Sequence, residues 1–189
     1  MALAYTDISF ELREISLKNR PKGLYRVSKK GTVPVLITSD NLVIDESLEI
    51  MLWALKNHSN QQWLKDNYNQ DLNIINNNDT EFKKWLDRYK YHDRYPENPK
   101  KYYRKKCDDI LSNYENQLNN TKYISRDSIS IIDIGIFPFI RQFANVDYKW
   151  FEDNYIKLTA WLEDICSSNL FIQIMKKYGL WNDNNKIKV

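Results

Sequence analysis

Apolar and polar side chains alternate between residues 10 and 17, with Phe10, Leu12, Ile15 and Leu17 set against Glu11, Arg13 and Glu14. That period of two predicts a half-buried strand with one slip in register. Before it, residues 1–5 read as the last turns of a helix. Residues 20–27 predict a short helix, with Pro21 suited to its first turn. The β-branched run 33–38 predicts a second strand. Ser39, Asp40 and Asn41 form a hairpin turn, and Leu42, Val43 and Ile44 the returning strand. From Glu46 to Lys56 the spacing becomes helical, because Leu48, Met51, Leu52 and Leu55 share one face.

Beyond His58, Ser59 and Asn60 every strong signal is helical. The Asn-rich stretch 67–78 is expected to be a loop. Residues 80–95 predict a helix that Pro96 and Pro99 end. Another is expected over 100–118, with Cys107, Ile110, Leu111, Tyr114 and Leu118 inside. The best-specified helix covers 130–143. Ser130 is its N-cap, Asp133 completes an Asp variant of the capping box, and Ile129 and Ile134 are placed as a hydrophobic staple. It is apolar nearly all round, which predicts the buried centre of this part. Pro138 in its interior predicts a kink. Residues 155–167 and 170–177 supply the last helices. The expected division is 1–58, mixed α/β, followed by 59–189, all α.

Composition narrows the function classes. The chain has 189 residues, 42% hydrophobic, enough for a core. Its net charge is +3 with acids and bases interleaved, unlike the basic stripe of a nucleic-acid surface. The densest basic run, Lys100 to Lys106, is followed at once by Asp108 and Asp109, which reads as a solvated helix face. Cys107 and Cys166 are the two cysteines. They offer no metal spacing and no disulfide framework, so a cytoplasmic protein is expected. No run is as long as a membrane span and no signal peptide is expected. His58 and His92 stand singly, suggesting neither a metal nor a triad.

Two short segments carry candidate chemistry: Lys30-Gly31-Thr32-Val33-Pro34-Val35-Leu36, and Asp45-Glu46-Ser47 opening the next helix. Singly, Val33-Pro34 is explained as an edge strand, where proline is tolerated, and Glu46-Ser47 as a helix cap. Together and in order, followed by the capped helix at Ser130 and Phe137-Pro138, they resemble the glutathione transferases over essentially the whole chain. The resemblance is to bacterial types with omega-like, cysteine-class features, in which Arg20-Pro21 stands where those enzymes carry Lys-Pro.

The resemblance implies an incomplete thioredoxin-like domain (1–58) followed by the family's all-helical domain (59–189). It implies glutathione as substrate, with no metal, bound by Arg20, Val33, Pro34, Glu46 and Ser47. In the family a cis bond before the proline turns the Val33 N–H and C=O toward the ligand's cysteinyl backbone. Ser47 and the helix start suit the γ-glutamyl carboxylate. Glu46 suits the α-ammonium, and Arg20 the glycyl carboxylate. Trp85 and Tyr89 lie on the helix that walls the second-substrate pocket, although packing explains them equally. The partners implied are glutathione, a small electrophilic or disulfide substrate, and a second copy in a homodimer; neither nucleic acid nor membrane is expected. The family's first strand, its catalytic Cys, Ser or Tyr and most of its first helix have no counterpart here, so no catalytic residue is assigned and a truncated N-terminus is expected. Two functions remain open: transfer of glutathione to an electrophile or disulfide by the full-length protein, or a non-catalytic binding or interaction module of the same family.

Overall fold

The computed structural model describes residues 1–59, 62–64, 68–182 and 187–189. The chain forms two compact units, Met1–Gln61 with Asn169–Val189, and Gln62–Ser168.

The first unit begins with α1 (Ala2–Tyr5), closed by the Thr6 hydroxyl, which donates to the Ala2 and Leu3 carbonyls. The strand expected over 10–17 contracts to β1 (Glu11–Leu12). After Pro21 comes α2 (Lys22–Val27). The strands β2 (Leu36–Ile37) and β3 (Val43–Ile44) pair antiparallel, Leu36 opposite Ile44 and Ile37 opposite Val43. Asn41 takes φ +65° in the turn between them, a conformation that asparagine tolerates better than most residues. Thr38 clamps this turn: its N–H donates to the Leu42 carbonyl and its hydroxyl oxygen accepts from the Leu42 N–H. Next comes α3 (Ser47–Lys56), which buries Ile50, Leu52, Ala54 and Leu55 and packs against α1. The buried face is turned slightly from the one predicted: Leu48 and Met51 are only half-buried.

The second unit contradicts one expectation outright. The stretch 68–78, expected as a loop, is helical. Asn67 lies outside the described residues, but α4 (Tyr68–Asn77) runs on through a π-helical turn (Asn78–Phe82) into α5 (Lys83–Lys90). The buried positions, Asp71, Ile75, Asn78 and Phe82, recur at helical spacing. Two of them are polar, which hides the stripe from a hydrophobic reading. Ile75 sits so close to Gly135 that a Cβ there would lie 2.9 Å from its side chain. Asp71 is ion-paired with Arg126. Tertiary contacts of this kind decide a helix whose own propensity is poor.

The helix α6 (Lys100–Gln117) starts after Pro99 and buries Tyr103, Cys107, Leu111 and Tyr114. At the centre is α7 (Ile131–Ala144), which buries Ile131 to Ile134, Ile136, Phe137, Ile140 and Phe143, with Pro138 inside it. The capping box at Ser130 and Asp133 forms as the sequence predicts. Two helices follow: α8 (Tyr148–Asn154), capped by the Asp147 carboxylate, and α9 (Ile156–Ser167).

Residues 169–189 group with the first unit. There α10 (Asn169–Ile174) packs on α1, and β4 (Ile187–Lys188) pairs antiparallel with β1. Phe10 and Val189 exchange both backbone hydrogen bonds at 3.0 Å, and the Trp181 N–H donates to the Glu14 carbonyl at 2.7 Å. An edge strand carries unpaired N–H and C=O groups. The C-terminal strand satisfies those of β1, and only where it reaches. Among the described residues no ladder joins β1 to β2. Nor, among the described residues, is any helix long and apolar enough to cross a membrane.

Candidate functional site

The loop 28–34 and the start of α3 are tied together by charge. The Ser28 hydroxyl, out of solvent, donates to Asp45 Oδ2 at 2.8 Å. Lys30 donates to Glu46 Oε1 and stands 3.6 Å from Asp45 Oδ1. The hydrogen bond to Glu46, helped by the Asp45 charge, raises the pKa of Lys30; the hydrogen bond from Ser28 lowers that of Asp45. Gly31 bends the loop with φ +61° beneath the Tyr25 ring, where a Cβ would come within 2.3 Å of Tyr25 Cε1. The result is a short bridge that fixes Val33 and Pro34 relative to the first turn of α3.

Each expected residue can now be placed. The Val33–Pro34 peptide bond is cis. Val33 is 45% exposed, and neither its N–H nor its C=O has a partner among the described residues. Ser47 opens α3 with a solvent-facing hydroxyl that has no partner among the described residues. The N–H groups of Ser47, Leu48 and Glu49 belong to the turn that has no intrahelical acceptor, since the first such bond runs from the Ile50 N–H to the Glu46 carbonyl. Glu46 is held by Lys30 rather than standing free. Arg20, just before α2, is exposed and touches none of the other site residues.

The arrangement has a clear chemical capacity. A free backbone N–H and C=O side by side accept an extended peptide as an added strand. The adjoining helix start favours a carboxylate. Two carboxylates, Asp45 and Glu46, already hold an ammonium, that of Lys30. The sequence reading missed Ser28, Lys30 and Asp45 as a linked set, because Lys30 and Glu46 stand 16 residues apart. The motif contained both residues, and only the fold turns them toward each other.

The second-substrate candidates fare differently. Tyr89 is 1% exposed, with its ring centroid 5.0 Å from that of Phe143 and Lys100 Nζ over it. It is a core residue and offers no face to a substrate. Trp85 is half-buried and ringed by Lys84, Arg88 and Lys106, each within 6 Å of its centroid. The basic run of α6 therefore spends part of its charge on aromatic faces. Burial raises the pKa of the Cys107 thiol, and it raises that of Cys166 against the nearby Arg141. Neither is an activated nucleophile. Among the described residues no group of His, Cys, Asp or Glu is placed to hold a metal.

Comparison with known proteins follows the same two-part division. Residues 1–56 match the family model "Glutathione S-transferase, N-terminal domain", and 78–169 match "Glutathione S-transferase, C-terminal domain". Glutathione S-transferase F13 of Arabidopsis thaliana is 29% identical over 65 residues, 34% of this chain and 30% of that protein. Glutathione S-transferase 2 of Triticum aestivum is 37% identical over 54 residues, 29% of this chain and 19% of that one. These matches thus span less than a third of either curated relative. Among solved structures, glutathione transferase F7 of Populus trichocarpa superposes with a TM-score of 0.75 at 18% identity, over 92% of this chain and 89% of that one. The transferase URE2P6 of Phanerochaete chrysosporium, solved with oxidized glutathione, gives a TM-score of 0.79 at 13% identity, over 92% and 86%. At such identities the likeness carries the fold.

Proposed function

Since the chain belongs to the glutathione S-transferase family, we propose that residues 28–47 bind the backbone of glutathione. The observation that carries this reading is the backbone of Val33, unpaired among the described residues and fixed by the bridge from Ser28 and Lys30 to the N-terminal turn of α3. In it, the Val33 N–H and C=O pair with the cysteinyl residue across Pro34. Ser47 and the free N–H groups beside it hold the γ-glutamyl carboxylate. The α-ammonium takes the place that Lys30 now occupies at Glu46. Arg20 supplies a cation for the glycyl carboxylate. The activity served is transfer of glutathione to a small electrophile or disulfide, and no residue of the chain is assigned to activate the thiol.

The same reading places the protein in the cytoplasm, where glutathione keeps thiols such as the free Cys107 and Cys166 reduced. It also makes the protein a homodimer. The support is an exposed apolar face, Leu42 and Val43, beside a concavity of about 420 Å³ along Leu52, Trp53 and Lys56 of α3. Sedimentation at micromolar concentration tests this, and a monomer refutes it.

Calorimetric titration of the protein with reduced glutathione tests the site. Ser47→Ala is expected to cost about 1–2 kcal/mol, roughly a tenfold loss of affinity. Unchanged affinity removes Ser47 from the site. Binding without turnover of any electrophile or disulfide favours the non-catalytic module over the enzyme.

A further inference from the structure

Charge is spread unevenly along the chain. The segment 83–106 holds ten of the 28 basic residues and three of the 25 acidic ones, a net +7, while the rest of the chain carries −4. The whole-chain value of +3, from which no nucleic-acid surface is expected, conceals this. The fold then doubles the segment back on itself. The helix α5 packs along α6, and a 3₁₀ turn at His92–Arg94 lies in the connection. The cations of the whole segment are thereby gathered at one end of a helical hairpin.

Few of these cations are spent on acids. Arg104 stands 3.8 Å from Asp147, and Lys105 pairs with Asp108 and Asp109. The other eight have no ion pair among the described residues. Of the acids within the segment, Asp93 pairs with His92.

The neighbours of the unpaired cations are aromatic rings. Lys84 Nζ, Arg88 Cζ and Lys106 Nζ lie 4.8, 5.5 and 5.8 Å from the Trp85 centroid. Lys90 Nζ and Arg94 Cζ lie 4.9 and 4.6 Å from that of Tyr91. Trp85 meets Tyr102 edge-on, with centroids 6.5 Å apart. Tyr91 and Tyr102 are exposed and Trp85 is half-buried. The segment has one Leu, Leu86, which is buried, and no Ile or Val.

We propose that this hairpin binds single-stranded nucleic acid. Unpaired cations track the phosphates, and aromatic rings among them offer faces on which bases stack, a combination that holds a single strand with little regard to sequence. Cation–π contacts at exposed sites are weak. The flexible side chains of Lys84, Lys90 and Lys106 can swing from ring to phosphate and leave the ring to a base. An anionic membrane would meet the same charge. Seating on it requires an apolar face that sinks to the acyl boundary, whereas here the rings that reach solvent sit among cations and Leu86 points inward. None of these residues belongs to the glutathione site, so the proposal is independent of that reading.

The test is fluorescence anisotropy of an end-labelled oligouridylate of about 20 nucleotides, titrated with the full chain. Half-saturation is expected on the order of 10 µM at about 100 mM salt. Affinity should fall about fiftyfold between about 50 and 200 mM salt, the dependence for about four phosphates contacted. Lys84→Glu combined with Arg94→Glu should weaken binding at least about tenfold. Lys176→Glu combined with Lys177→Glu makes the same change in net charge at exposed positions elsewhere, and should leave affinity within about twofold. Trp85→Ala and, separately, Tyr91→Ser should each weaken binding about tenfold; if Trp85→Ala loses helical circular dichroism, the exposed Tyr91 decides. The proposal is overturned by the absence of saturable binding at the lowest salt, or by the distant lysine pair costing as much as the hairpin pair. Full affinity in the aromatic variants overturns it too, as does inorganic polyphosphate displacing the strand at equal phosphate concentration. So does binding to phosphatidylserine vesicles tighter than to the oligonucleotide.

Discussion

Replacing Asp133 by alanine removes the acceptor around which the helical unit is organised. The side chain is fully buried. Oδ2 accepts from the Ser130 N–H and hydroxyl, both at 2.9 Å, and Oδ1 accepts from the Ile124 N–H at 3.0 Å and from Trp161 Nε1 at 2.9 Å. Burial pushes its carboxyl above the ordinary range, and the four donors pull against that. In the alanine variant the Ser130 hydroxyl can rotate to another acceptor. The Ser130, Ile124 and Trp161 N–H groups cannot, and each is out of solvent. A buried donor left unpaired costs about 1–3 kcal/mol. Three of them total about 3–6 kcal/mol, after allowing for the carboxylate that is no longer desolvated. A protein of this kind has only about 5–15 kcal/mol in hand. Asp133→Asn keeps one acceptor oxygen and should cost about half as much. Urea unfolding of the three proteins, followed by helical circular dichroism and by tryptophan fluorescence, gives the comparison. An alanine variant within about 1 kcal/mol of wild type refutes the reasoning, because the donors would then have found other partners. So does an asparagine variant as damaged as alanine, which would show that the charge, not the geometry, is what the site needs.

Three further outcomes are expected. Gly31→Ala combines a left-handed φ of +61° with a clash against Tyr25; it should cost about 1–3 kcal/mol and weaken glutathione binding, measured by thermal melting and calorimetry together. Asp108 is pulled upward most by burial, but the hydrogen bonds from Lys105 and Tyr155 and the charges of Lys105 and Arg104 together hold its pKa below 3.8. Its contribution is therefore present above pH 3.8 and lost as pH falls through the lower folded value, so the stability gap between wild type and Asp108→Asn should shrink in acid; a gap that widens there shows the opposite sign. Finally, Cys107 is fully buried and Cys166 is not, so a thiol reagent should titrate Cys166 in the native protein and reach Cys107 only after unfolding.

What the sequence by itself determined is what neighbouring residues settle among themselves. Ser130 and Asp133 are three residues apart, and their capping box is as the spacing predicts. The stripe at Cys107, Leu111 and Tyr114 specifies α6 without reference to anything else. The Thr38–Leu42 turn and the order of Val33-Pro34 and Glu46-Ser47 are equally local, so the outline of the candidate site was legible. The tertiary structure alone decided the rest. The strand β1 is two residues long because a ladder extends only as far as its partner, and that partner, β4, is drawn from the far end of the chain. The helix α4 exists because Gly135 admits Ile75 and Arg126 neutralises Asp71, neither of which a hydrophobic period registers. Tyr89 went to the core and Lys30 to Glu46 for the same reason. Periodicity tells which face of an element turns inward, whereas the identity of the group it meets there depends on residues tens of positions away, brought close only when the whole chain folds.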